Sequence, residues 1–157
     1  MIKLTIDRHD IKGMIQRGTL LHGHAGPFLN LGIKMGCLAL DQLNARGYFD
    51  LSAKVELDYH PPVSCLIDGL QISTGCTMGK GNICVMQNND GIEGHFKKGN
   101  QSIRIILKPE ILSRIDFEKE TCENLAQQIL EMDNSQLFSL ETIQNKEVDA
   151  RVTIPIN

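Results

Sequence analysis

The stretch "NICVMQNNDGIEGHFKKGNQSIRIILK", Asn82–Lys108, decides the fold class. It divides into three short runs, "NICVM", "IEGHFK" and "SIRIILK", separated by "NNDG" and "KGN". Ile, Val and Phe suit extended chain, and Asn, Asp and Gly supply the backbone conformations that tight reversals need. Three strands joined by two short turns predict an antiparallel meander.

Working upstream, "AKVELDY" alternates Ala53, Val55, Leu57 and Tyr59 with Lys54, Glu56 and Asp58, the pattern of a half-buried strand. After the breaker "HPP", residues 63–73 space Cys65, Leu66, Gly69, Leu70 and Ser73 as a short helix would. Earlier still, "FLNLGIKMGCLALDQLNARG" is apolar around most of its circumference, with a narrow polar stripe of Asn30, Lys34, Cys37 and Asp41. That is a largely buried helix, opened by Pro27 and closed by Gly47 as a left-handed cap. Gly32 and Gly36, one turn apart, are expected to serve tight packing of this helix on the sheet. A first helix over about 10–16 runs into "GTLLHGHAGP", whose Gly/His/Pro cluster ends it.

Downstream, Pro109 opens a turn of helix, and Cys122, Leu125, Ala126, Ile129 and Met132 form one apolar stripe of a helix starting at about Phe117. The segments "LFSLETI" and "ARVTIPI" read as one or two edge strands. Strands in a run, with helices before and after, predict the α+β class: an antiparallel sheet packed against helices. The 157 residues suit one domain, with a core over about 8–132 and a strand-rich tail over about 136–157.

Sixteen Lys and Arg against nineteen Asp and Glu give a net charge of -3, which gives nucleic acid no basic surface to bind. Aromatic residues make up 4%, too few for a base-stacking platform. No segment approaches the ~20 uninterrupted apolar residues of a membrane span, and the N-terminus lacks a signal-type apolar run, so a cytoplasmic protein is expected. Five cysteines, an odd number without framework spacing, point to reduced thiols rather than disulfides.

Chemistry concentrates in two places. "ISTGCTMGKGN", Ile72–Asn82, resembles a phosphate loop but fails its test: Gly75 and Gly79 are three residues apart rather than four, and Gly81 stands where a magnesium-binding hydroxyl belongs. It also leads from a helix into a strand, the reverse of a phosphate loop. Its free amides and the Lys80 ammonium could still hold a small anion, and Lys80 could lower the pKa of Cys76, whose other reading is a buried turn residue. In "HGHAGP", His22 and His24 lie two apart across a flexible Gly23, and Cys65 with Asp68, at i and i+3 on one helical face, would complete a zinc-like N/S/O shell. His9, His60 and His95 read as surface residues, and Cys84 and Cys122 as packing.

"HGHAGPFLNLGIKMGCLAL" and "CLIDGLQISTGCTMGKGN" resemble the two signature blocks of the FmdE family of formylmethanofuran dehydrogenase proteins. The resemblance implies an FmdE-like α+β core that dimerises, with both blocks converging on a cleft that binds a divalent metal such as zinc. It carries ligand roles onto His22, His24, Cys65 and Cys76, with Asp68, Thr77 and Lys80 beside them. Two departures stand out: Gly26 and Phe28 replace a cysteine and a glycine common in the first block, and no zinc finger follows the core. The implied role is an accessory subunit or metal carrier linked to a molybdenum or tungsten formylmethanofuran dehydrogenase or related one-carbon metabolism, with other subunits of that enzyme as partners. Two alternatives stay open. One is a metal-dependent enzyme with Cys76, Lys80 and Asp68 as catalytic groups and Thr77 and Lys80 holding a small carbonyl or anionic substrate. The other is a dimeric interaction module without chemistry.

Overall fold

A computed structural model describes residues 4–143. The helices are α1 (Ile11–His22), α2 (Pro27–Gln42), α3 (Leu66–Thr74), α4 (Pro109–Arg114), α5 (Cys122–Glu131) and α6 (Asn134–Leu137). The strands are β1 (Ser52–Leu57), β2 (Ile83–Gln87), β3 (Glu93–Lys98), β4 (Gln101–Leu107) and β5 (Phe138–Ile143). They form one five-stranded sheet in the order β2-β1-β3-β4-β5, and the class is α+β with a mostly antiparallel sheet.

The meander expected over 82–108 is present only from its second strand. β1 pairs in parallel with β2, Ala53 facing Ile83, and antiparallel with β3, Ala53 facing Phe96. β1 therefore lies between the first two strands of the opening stretch. The reason is the helix between β1 and β2: a crossover of that length returns the chain in the same direction, so the two strands run parallel. "NNDG" then carries the chain past the end of β1, where the Asn88 amide donates to the Leu57 carbonyl at 2.8 Å, and delivers β3 to the far side. The segment "ARVTIPI" lies outside the described residues.

Alternation in the strands buries Ala53, Val55, Leu57, Phe96, Ile103, Ile105 and Leu107 on the face that carries the helices. α2 is the central helix, and most of its residues are buried. Its polar stripe is explained by α5: the Asn30 side-chain amide donates to the Ala126 carbonyl at 3.0 Å, and the Lys34 ammonium caps the end of α5 through the carbonyls of Ile129, Leu130 and Met132. α2 ends at Gln42, before the expected Gly47, because Leu43 and Ala45 turn into the core and Asn44 takes the left-handed backbone (φ 46°).

The α2 glycines do not pack on the sheet as expected; they pack on α3. A Cβ at Gly32 would lie 2.0 Å from the Leu66 carbonyl oxygen, and one at Gly69 would lie 2.1 Å from that of Leu29. Ser73 fills the next gap, its hydroxyl donating to the Gly69 carbonyl at 2.8 Å. The two helices thus cross in backbone contact, which fixes where both ends of α3 lie.

α1 extends past Gln16 to His22, since Gly18 lets it settle on Leu29 and Ile33, and it ends at Gly23 in the left-handed conformation (φ 96°). α5 begins at Cys122, later than Phe117, where the Thr121 hydroxyl accepts from the Asn124 amide at 3.2 Å. No helix among the described residues is long and apolar enough to cross a membrane.

Candidate metal centre

Two elements meet at the N-terminal end of α3. The turn at Gly23 places His22 beside Asp68, in the first turn of α3, and the two side chains join through Nδ1 and Oδ2 at 2.6 Å. The other carboxylate oxygen of Asp68 accepts from the Gln71 amide at 3.4 Å. His22 is nearly enclosed, with 13% of its side chain exposed, and its Nε2 is buried without a hydrogen-bond partner among the described residues. A buried nitrogen left unpaired costs about 1–3 kcal/mol, so this ring edge favours a ligand. With Nδ1 donating to the carboxylate, Nε2 carries a lone pair, the arrangement seen in carboxylate–histidine–metal units.

His24 is exposed, and its ring centroid lies 4.8 Å from that of His22. Cys65 immediately precedes α3 and is half-buried. Burial pushes its thiol pKa up, and the Asp68 charge pushes the same way. Two imidazoles, a thiol and a carboxylate that orients one imidazole match the N/S preferences of zinc. The residues present therefore fit a divalent metal.

The opposite end of α3 is built differently. The nine residues of α3, about 14 Å of helix at 1.5 Å per residue, separate Cys65 from the glycine-rich stretch. Cys76 is completely buried, its thiol directed to the Leu51 carbonyl at 3.3 Å. Burial pushes its pKa up, against the opposing hydrogen bond from Thr74 and the Lys80 charge. The Lys80 ammonium donates to the Gly75 carbonyl at 2.5 Å and to the Thr77 hydroxyl at 3.0 Å. The Thr77 amide donates to the Asn82 side chain at 2.9 Å, and the Met78 amide to that of Gln71 at 3.2 Å. These groups close a turn on itself and leave no ring of free amides for an anion. The structure thus brings together His22, His24, Cys65 and Asp68, and holds Cys76, Thr77 and Lys80 apart from them.

The sequence did not reveal one further cluster. On the outer face of the sheet, one ligand atom each of Glu56, Glu93 and His95 lies within 4.8 Å of the others, a group that could hold a metal. Glu56 faces Glu93 across β1 and β3, and only the strand order makes them neighbours. Both carboxylates already have cationic partners: Glu93 takes Arg104 at 2.5 Å, and Glu56 takes Lys54. An ion-pair network accounts for this group without a metal. The His22 donors are more loosely gathered, but no lysine or arginine pairs with Asp68 among the described residues.

The chain is 28% identical over 127 residues to a probable S-adenosyl-L-methionine-binding protein of Archaeoglobus fulgidus. That match covers 78% of this chain and 34% of the relative, so the chain spans about a third of that protein's length. In fold it is similar to the crystal structure of an FmdE-like protein of a tungsten formylmethanofuran dehydrogenase, from Syntrophus aciditrophicus. The TM-score is 0.63 and the identity 20%, covering 92% of this chain and 78% of that one. Residues 21–139, from the end of α1 into β5, match the family model described as "FmdE, Molybdenum formylmethanofuran dehydrogenase operon", and the chain belongs to the FmdE family.

Proposed function

We propose that this FmdE-family protein binds a divalent metal, zinc being the best chemical match, through His22, His24 and Cys65. In this reading Asp68 orients His22, and the protein serves as an accessory subunit or metal carrier for a molybdenum or tungsten formylmethanofuran dehydrogenase or a related one-carbon enzyme. The observation that supports it is the His22 ring, clamped at Nδ1 by Asp68 at 2.6 Å while its buried Nε2 lacks a partner. A bound zinc ion would supply either a structural cross-link between α1 and α3 or a Lewis acid. The chain's own residues perform three tasks toward it. Asp68 fixes the ring and tautomer of His22, Cys65 offers a thiolate once its proton is released, and the backbone contact of α2 with α3 holds the N-terminal end of α3 in place.

The family description and the Syntrophus relative, named for a tungsten enzyme, support the link to that enzyme class. Expected partners are other subunits of such an enzyme and a second copy of this chain; light scattering on the purified protein checks the homodimer. Metal analysis after purification without chelator or affinity tag tests the metal reading. Stoichiometric zinc, with zinc affinity lost in His22→Ala, is the expected result. No stoichiometric metal, and titrated zinc binding wild type and His22→Ala alike, overturns it.

A further inference from the structure

Cys122 is the first residue of α5, more than fifty positions beyond Cys65 in the chain and on none of the elements that carry the other donors. Its position is decided by Gly26. A Cβ built on Gly26 would meet two atoms, the Cys122 sulfur and His24 Nε2, each at 3.3 Å. The thiol and the imidazole nitrogen thus flank one point beside the "HGHAGP" turn, and the missing side chain at Gly26 lets both approach it. The Cys122 sulfur also lies 3.8 Å from the Ala25 carbonyl, within the same turn. The two thiols are close enough that charge on Cys122 opposes ionisation of Cys65. Cys122 makes no disulfide and is half-buried, accessible enough to release a proton and enclosed enough to keep its direction.

We infer that Cys122 is a metal ligand, completing with His22, His24 and Cys65 a two-histidine, two-cysteine zinc site assembled from the end of α1, the start of α3 and the start of α5. The inference rests on the metal reading above and adds its fourth donor. Four such donors are the usual complement of a closed structural zinc site, in which each thiol binds as thiolate and gives up its proton to solvent. Bound metal would then tie α5 to the α1–α3 corner, to which no described strand connects it.

Cobalt(II) is the probe, because its thiolate-to-metal charge-transfer absorption scales with the number of bound thiolates. Titrated wild-type protein is expected to show a two-thiolate band. Cys122→Ser is expected to halve that band and weaken cobalt affinity about tenfold or more, as Cys65→Ser does. Gly26 has extended backbone (φ -134°), which any residue adopts, so Gly26→Cys can be combined with Cys122→Ser to place a thiol beside the same point. That double variant is expected to recover the two-thiolate band. A full band in Cys122→Ser overturns the role of Cys122 while leaving the metal reading standing. A wild-type protein that binds no cobalt overturns both. A melting temperature for each variant separates ligand loss from misfolding, and recovery in the double variant is a gain that misfolding cannot imitate.

Discussion

The two ends of α3 carry the same kinds of residue and do opposite things with them. At its start, Cys65 and Asp68 stand beside His22, whose inner nitrogen is buried and unpartnered among the described residues. At its finish, Cys76, Thr77 and Lys80 are tied into a turn by Thr74, Gly75, Leu51 and Asn82. The difference teaches that a cysteine with a nearby charge becomes a site only where the backbone and its neighbours leave a donor unused. The glycine-rich end satisfies its own polar groups, as a buried turn must. The histidine end leaves that requirement to something else.

The contrast depends on α2 holding α3, so the largest effect should come from breaking that contact. Gly69→Leu drives a side chain into the Leu29 carbonyl and is expected to cost about 3 kcal/mol or more, read as a fall in the denaturation midpoint. Removing the imidazole at the start of α3 comes next. His22→Ala should weaken zinc affinity about a hundredfold, some 2.7 kcal/mol by titration calorimetry, with folding intact. Asp68→Asn keeps the size of the clamp but not its charge, and is expected to cost about tenfold in zinc affinity.

Cys76→Ala tests the other end. It should reduce stability by about 1 kcal/mol through lost packing and leave zinc affinity unchanged; a tenfold loss of affinity would erase the distinction between the two ends. The smallest effect belongs to the outer face of the sheet, which resembles the glycine end in satisfying its own charges. Burial works to raise the pKa of Glu93, but hydrogen bonds from Arg104 and His95 prevail and hold it below the ordinary carboxylate value. Its folded-state pKa is depressed, so the stabilisation is present above about pH 4.3, where an unfolded glutamate ionises, and is lost as pH falls through the folded value. Arg104→Ala should therefore flatten the acid limb of the stability–pH curve, by less than about 1 kcal/mol for so exposed a pair.

Much of this was legible in the sequence because it is local. Alternation marked β1, β3 and β4, the Cys65–Asp68 spacing marked one face of α3, and Gly23 stopped α1 for lack of a Cβ. His22, His24, Cys65 and Asp68 could be grouped from residue chemistry and the family resemblance. Residues that depend on partners far along the chain could not be read. Cys122 fits an apolar stripe at helical spacing, and only the packing of α5 against "HGHAGP" moves it to the histidines. His95 reads as a surface residue until β1 is known to separate β2 from β3.

The sequence by itself determined the class of fold, the kinds of element and the family, because hydrophobic period, turn chemistry and motif spacing act over a few residues. The tertiary structure alone decided the strand order, the end of α3 that meets the histidines, and the place of Cys122. Strand pairing and helix crossing are settled by contacts between distant segments, here the 2.0 Å and 2.1 Å approaches that only Gly32 and Gly69 permit. Local pattern cannot encode such contacts, because each glycine's role exists only once its partner has arrived.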